Sequence, residues 1–163
     1  MSQSFRVFGR SDVQPAPAAL AKELNRLLPG TAIHFRGDDL GWFEARVTWD
    51  ADEPPIRIER YLTKEDDVRG ELNTWAAWLE SAGESPEHLR LMQHVVGTKQ
   101  TFTLHCPVEE GYEPADESLV ESLCLGLCTF LARETDGIYQ VDHRGFFEAD
   151  GRLIVPEEPQ HAE

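Results

Sequence analysis

The chain has 163 residues, which suffices for one domain that buries about two-thirds of its unfolded surface. It carries 30 acidic and 15 basic residues, and the formal net charge of −15 repels DNA, RNA and acidic lipid over most of the surface. No apolar run approaches the roughly 20 residues that span a membrane, residues 1–10 contain no apolar signal core, and the three cysteines cannot all pair. We therefore expect a soluble cytoplasmic protein without nucleic-acid or membrane partners.

Patterns in the first third of the chain predict one helix among four strands. The leucines at positions 20, 24, 27 and 28 share one face of a helix over residues 17–28, which Pro29 and Gly30 end. Strands are predicted at residues 5–8, 32–36, 41–50 and 56–62. Alternation along the strand at 41–50 assigns Phe43 to the core, together with Ala45 and Val47. Trp42 then lies on the opposite side of that strand, exposed or under another element.

Helices dominate the middle of the chain, and strands return at its end. One helix carries an apolar face from Val68 to Leu79, and a second begins at Pro86 after the capping residue Ser85. The later predicted elements are a strand at 101–106, a polar loop at 107–115, a helix at 116–134, and strands at 138–142, 146–148 and 152–155. We expect a single α+β domain over residues 1–155, followed by a flexible acidic tail at 156–163. The expected architecture is an antiparallel sheet of about seven strands with helices mainly on one face.

Two short stretches of the sequence nearly repeat. Residues 41–45 read GWFEA and residues 145–149 read GFFEA. Each opens the strand that follows the first turn of its half, and both halves are predicted as strand, helix, strand, strand, strand. A structural pseudo-repeat and a chance match both remain open, because no second block of sequence matches.

The cysteines and histidines give no strong catalytic or metal signature. Cys124 and Cys128 share one face of the predicted helix with apolar residues, which favours core packing over metal binding. His105 and Cys106 are neighbours on a predicted strand, so their side chains point to opposite faces. Phosphate-loop, dinucleotide, nucleophile-elbow and zinc-protease motifs are missing from the sequence, and we expect neither a metal nor a cofactor.

Acidic and aromatic residues beside two predicted turns form the candidate binding site. Asp near Gly is common turn chemistry, and the spacing of the acids does not match a calcium loop. If Trp42 and Phe146 are exposed, they form an aromatic and acidic patch suited to binding a protein. If both faces of the sheet are partly covered, the two rings belong to the core. The candidate binding residues are Asp38, Asp39, Trp42, Glu44, Asp142, His143, Phe146 and Glu148.

Three functional hypotheses follow from these features. The leading one is an acidic protein-binding module, an immunity-like or regulatory partner that neutralises a basic protein. The second is an enzyme whose polar site is assembled from scattered residues such as His34, Asp38, His105 and His143. The third is a structural homodimer paired through the aromatic strand face.

Overall fold

The computed structural model describes residues 4–64, 66–105 and 117–157, with the backbone alone for Asp66 and Glu117. Cys106, the polar loop at 107–115 and residues 158–163 of the predicted tail lie outside the described residues. Four helices and eight strands follow one another within them: β1 (Ser4–Gly9), α1 (Pro17–Leu27), β2 (Ala32–Asp38), β3 (Gly41–Thr48), β4 (Ile56–Leu62), α2 (Asp66–Ala82), α3 (Pro86–Val96), β5 (Gln100–His105), α4 (Glu117–Glu134), β6 (Gly137–Val141), β7 (Gly145–Phe147) and β8 (Leu153–Pro156).

All eight strands form one sheet in the order β2-β3-β4-β5-β1-β6-β7-β8. Every neighbouring pair is antiparallel. The prediction of an α+β protein built on a single antiparallel sheet is confirmed, with eight strands where about seven were expected. Strand β1 lies near the middle, and β5 and β6 flank it, so residues from both ends of the sequence build the centre of the sheet.

The larger hydrophobic core lies between one face of the sheet and helices α1 and α4. Leu20 and Leu24 of α1 are buried there, as the leucine spacing predicts. Cys124 and Cys128 of α4 are also buried in this core, so the packing interpretation of the two cysteines is confirmed. The strands contribute alternate side chains to it, for example Phe102 and Leu104 of β5.

A second core lies on the opposite face, under helices α2 and α3. It contains Phe8 of β1, Phe146 of β7, Leu72 of α2 and Leu91 of α3. Helices therefore cover both faces, which differs in detail from the expectation of helices mainly on one face. The second pair packs over the β1 and β6–β8 part of the sheet, because that is where this face carries large apolar side chains.

A β-bulge in β3 changes which side chains of GWFEA enter the core. Arg36 pairs with Glu44, whereas Gly37 pairs with Trp42, so Phe43 is an extra residue without a partner in β2. The extra residue reverses the alternation, and Trp42 is 3% exposed while Phe43 is 39% exposed. The prediction that Phe43 faces the core was therefore wrong. The turn between β2 and β3 consists of Asp39 and Leu40, whereas the predicted strands at 32–36 and 41–50 leave residues 37–40 for it.

The two matching stretches occupy similar places in the sheet. GWFEA opens β3, which lies between β2 and β4, and GFFEA opens β7, which lies between β6 and β8. The order strand, helix, strand, strand, strand does occur twice, as predicted. The two meanders, β2-β3-β4 and β6-β7-β8, nevertheless join the centre of the sheet differently. The first joins it through its last strand, β4, which pairs with β5, and the second through its first strand, β6, which pairs with β1. The match marks the middle strand of a meander in each half.

Candidate binding surfaces

The first group of predicted binding residues lies at the β2–β3 hairpin. Asp38 accepts a hydrogen bond from the Leu40 amide at 2.8 Å, which fixes the turn, and Asp39 is exposed. Glu44 forms ion pairs with two arginines of the same face. Trp42 is buried, and its indole Nε1 donates to the Pro15 carbonyl at 2.9 Å. The loop before α1 therefore covers the Trp42 ring, which packs in the core.

The second group lies at the β6–β7 turn and beyond it. The Asp142 carboxylate accepts a hydrogen bond from the Arg6 guanidinium at 2.7 Å. Burial raises the pKa of Asp142, but Arg6 together with hydrogen bonds from Gln140 and the Ser4 amide holds this pKa below its ordinary value. His143 is exposed in the turn, with φ at +68°. Glu148 accepts from Arg90 of α3 at 2.9 Å and therefore ties the end of β7 to that helix.

Phe146 belongs to the second core and not to the surface. Its ring stacks on Trp78 at 6.0 Å between centroids and meets Trp75 edge-on at 5.5 Å. Trp42 and Phe146 are thus both buried, and the alternative in which both faces of the sheet are partly covered is the correct one. The two predicted groups are also far apart, since β3 and β7 are five strand spacings apart, or about 24 Å. They do not form one binding patch.

The residues named for a scattered enzyme site do not converge either. His34 of β2 and His105 of β5 are three strand spacings apart, or about 14 Å. His143 lies in the β6–β7 turn, and Asp38 closes the β2–β3 hairpin. None of the three pockets described below in residues 4–64, 66–105 and 117–157 is lined by all four of these residues. The enzyme hypothesis therefore gains no site from them and stays a prediction.

An apolar groove of about 480 Å³ runs between α2 and α3 on their outer side. Its walls come from one face of each helix: Asn73, Ala76, Ala77 and Glu80 of α2, with Met92, Gln93 and Val96 of α3 and the adjoining Gly97. Val96 is 54% exposed, and Leu89, two turns earlier on the same helix, is also exposed. We call this surface the α2–α3 groove. Its size lies within the range of pockets that bind small ligands or the side chains of a docked helix.

Acidic residues occupy the last turn of α2 and the stretch that leads from it into α3. Glu80 lies in the last turn of α2, a turn with no basic residue, and Glu84 and Glu87 follow it. All three side chains are exposed. Because carbonyl groups point out of a helix C-terminus, negative charge there is electrostatically unfavourable. Residues 66–97 contain six acidic and two basic residues, so the acidity extends over the whole helical pair.

Sequence reasoning missed the groove, although the apolar residues of α3 carry a signal for it. Leu91 and Val95 form the buried face of α3, whereas Leu89 and Val96 lie outside that face. A helix that packs against one core needs a single apolar stripe. The additional apolar positions therefore indicate a second contact surface, but only once the buried stripe is known.

The second surface is the part of the sheet that α2 and α3 leave uncovered, on the same side as those helices. Two cross-strand rows of side chains cross β2, β3, β4 and β5 there. The registers of these strands define the first row as His34, Arg46, Arg57 and His105, and the second as Arg36, Glu44, Glu59 and Thr103. We call this surface the open sheet face. An ion pair between Arg6 of β1 and Glu71 of α2, with 3.4 Å between Nε and Oε2, marks the border where the helices begin to cover the sheet.

Glu59 connects the two rows of the open sheet face. Its carboxylate is 2.9 Å from His105 Nε2 and accepts a hydrogen bond from the Tyr61 hydroxyl at 3.0 Å. Partial burial raises the pKa of Glu59, but these hydrogen bonds outweigh burial, so the pKa lies below its ordinary value. Two depressions of about 390 and 380 Å³ meet at Glu59 and Tyr61. The open sheet face is therefore polar, and the Glu59 carboxylate on it is ionised at neutral pH.

Metal-ligand clusters and membrane-spanning helices are both missing from the described part of the chain. No three His, Cys, Asp or Glu side chains among residues 4–64, 66–105 and 117–157 converge as metal ligands. The helices in those ranges include none that is long and apolar enough to cross a membrane. Neither a protein-family model, nor a curated protein, nor a solved structure matches the chain. The proposals below therefore depend on the two surfaces themselves.

Proposed function

We propose that this protein is a protein-binding module, and that its α2–α3 groove binds an amphipathic basic helix of a partner protein. The observation that carries the proposal is an exposed apolar groove that is lined by Glu80 and lies within a helical pair whose sequence has an excess of acidic residues. Amphipathic helices dock into such grooves through apolar side chains spaced at i, i+3, i+4 and i+7. Lysine or arginine on the flanks of the partner helix would meet Glu80, Glu84 and Glu87. This is the chemistry expected of a regulatory or immunity-like partner of a basic protein.

The charge of the whole chain supports the same partner. A net charge of −15 speeds the approach of a basic protein and slows that of an acidic one. Glu80 lies against the negative end of the α2 dipole, so a cation there removes an unfavourable interaction. Apolar contacts in the groove would supply most of the affinity, and the nearby glutamates would select a partner helix with positive charge.

A synthetic helical peptide tests this function. The probe has about 15 residues, with leucines at helical spacing on one face and lysines on the other. We expect fluorescence anisotropy to detect binding in about 20 mM salt and a large loss of affinity in about 0.5 M salt, because screening weakens the acidic contacts. A peptide with glutamates in place of the lysines should not bind. Equal binding of both peptides, or binding unaffected by salt, would contradict the proposal.

Matched substitutions locate the binding to the groove. Val96→Ser removes apolar area from the groove, and Val13→Ser makes the same change at a valine that is 63% exposed elsewhere. We expect Val96→Ser to weaken peptide binding by up to about tenfold, and Val13→Ser to leave it unchanged. Glu80→Gln should weaken binding more than Glu134→Gln, which removes a charge from the last turn of α4. Identical effects within each pair would mean that the peptide binds by general charge attraction alone.

A further inference from the structure

The open sheet face carries a row of arginine and histidine side chains in which two arginines oppose each other across neighbouring strands. In that row Arg46 pairs directly with Arg57, His34 lies opposite Arg46, and His105 lies opposite Arg57. Directly opposed like charges destabilise an antiparallel pair. Acidic residues are twice as numerous as basic ones in this chain, so four basic or titratable nitrogen side chains in one unbroken row go against its composition.

The second row neutralises part of this charge but leaves the outer surface basic. Arg46 and Arg57 contact Glu44 and Glu59 through Nε, at 3.7 and 3.5 Å. The carboxylate side chains are 13% and 27% exposed, whereas those of Arg46 and Arg57 are 56% and 45% exposed. The guanidinium groups therefore extend past the carboxylates. Within the described residues no hydrogen bond occupies the Nη atoms of Arg46 or Arg57, so these atoms can donate to a ligand.

We propose that the row His34, Arg46, Arg57 and His105 is an anion-binding strip that takes a short acidic segment of a protein in extended conformation. The row spans three strand spacings, or about 14 Å. Carboxylates at alternate positions of an extended peptide point to one side, and three of them span about 13 Å. Such a peptide, lying across the strands, places one carboxylate near each end of the row and one near its middle. Guanidinium groups match carboxylates well, because they donate two parallel hydrogen bonds.

Long-range repulsion favours a short acidic segment over a nucleic acid. A nucleic-acid strand continues past the strip with a charge at every nucleotide and meets the acidic remainder of the surface. A peptide with three or so acidic residues places its charge on the strip alone. The strip is also separate from the α2–α3 groove, so its failure would leave the proposed function standing, and failure of the groove would leave the strip.

The test uses a fluorescently labelled peptide of about nine residues with three aspartates at alternate central positions, measured by anisotropy in about 20 mM salt. The variant is Arg46→Gln with Arg57→Gln, and the matched control is Arg10→Gln with Arg152→Gln. The control changes the net charge equally, at arginines that pair with acids outside the strip. Thermal unfolding first shows that both variants fold. We expect the strip variant to lose about tenfold in affinity and the control to bind like the wild type.

Three outcomes would overturn the assignment. One is an absence of peptide binding to the wild-type chain, and another is an equal loss in the strip variant and in the control. The third is tighter binding of a single-stranded oligonucleotide with the same number of charges, which would replace the peptide with a nucleic acid as the ligand. A lysine variant, Arg46→Lys with Arg57→Lys, separates charge from geometry. It keeps the charge and is expected to recover part of the affinity, but not all of it, because lysine donates as a point charge.

Discussion

The α2–α3 groove and the open sheet face belong to the same side of the sheet, yet they carry opposite charge. The groove is apolar and lined by Glu80, with Glu84 and Glu87 following along the chain, whereas the open sheet face exposes Arg46 and Arg57 above their carboxylate partners. Both surfaces contain an arrangement that opposes local stability: a glutamate in the last turn of α2 in one, opposed arginines in the other. The comparison teaches that the net charge of the chain does not predict the charge of each surface, because the local charge is negative beside the groove and positive on the open sheet face.

The largest expected effect is the loss of stability when the core beneath α2 and α3 is disrupted, because that core supports the groove and not the open sheet face. Phe146 stacks under Trp78 of α2, so Phe146→Ala leaves a cavity beneath the helical pair. We expect the free energy of unfolding, measured with urea, to fall by about 3–5 kcal/mol. Amide hydrogen exchange should increase more in α2 and α3 than in β2–β4. The control is Phe43→Ala, at the bulged ring of the matching stretch, which should stay within about 0.5 kcal/mol of the wild type. Equal losses would contradict the assignment of the two rings.

The framework of the open sheet face depends on a buried arginine on the other side of β4. Arg60 donates from Nε to the Gln100 side chain at 2.8 Å and from Nη1 to the Trp42 carbonyl at 3.0 Å. Arg60→Met leaves both acceptors without this donor, and we expect a loss of about 1–3 kcal/mol in unfolding free energy. Arg57→Met, on the same strand but on the exposed side, is expected to change stability by less than about 0.5 kcal/mol. The comparison fails if the exposed arginine proves the more important for stability.

Acid should loosen the groove before it affects the sheet. His94 of α3 is buried, its Nε2 donates to the Phe8 carbonyl at 2.9 Å, and burial lowers its pKa despite that hydrogen bond. The unfolded chain therefore takes up a proton near pH 6.5, whereas the folded chain takes it up only at lower pH. The contribution that neutral His94 makes to the free energy of unfolding is therefore present above pH 6.5 and is lost as the pH falls below that value.

A substitution at His94 isolates this effect. His94→Gln keeps a donor for the Phe8 carbonyl and removes the titrating group, so urea unfolding between pH 7 and pH 5 should show a shallower loss of stability. The described carboxylates with lowered pKa, Glu23, Glu59 and Asp142, act at lower pH than this window. His34→Gln on the exposed part of β2 is the control and should keep the wild-type slope. An unchanged slope in His94→Gln would refute the role of this histidine.

The smallest expected effects test whether each surface keeps its charge at the expense of stability. Arg46→Gln removes the direct opposition to Arg57, and Glu80→Gln removes a negative charge from the C-terminal turn of α2. We expect each to raise the unfolding free energy by roughly 0.2–0.5 kcal/mol at low ionic strength. The gains should disappear in about 1 M salt, where screening is nearly complete. A clear loss in either variant would mean that the charged group serves the fold.

Much of the fold could be predicted from local patterns, because each element has its own period. The leucine spacing of α1 and the alternation in β5 are local properties, and both elements form where they are expected. The buried state of Trp42 could not be predicted by alternation, since one bulged residue reverses it. Gly37 is the only local sign, as glycine within a strand often marks a bulge. The row from His34 to His105 depends on the register of four strands, so it could not be predicted from the sequence alone.

The most direct test of two separate, oppositely charged binding surfaces is a pair of NMR titrations on the ¹⁵N-labelled chain. The lysine-rich helical peptide should shift amide signals of α2 and α3, and the aspartate peptide should shift those of β2–β5. With both peptides present, each set of shifts should persist, because the surfaces do not overlap. Shifts of the same residues by both peptides, or small shifts spread over the entire chain, would contradict the existence of two distinct sites.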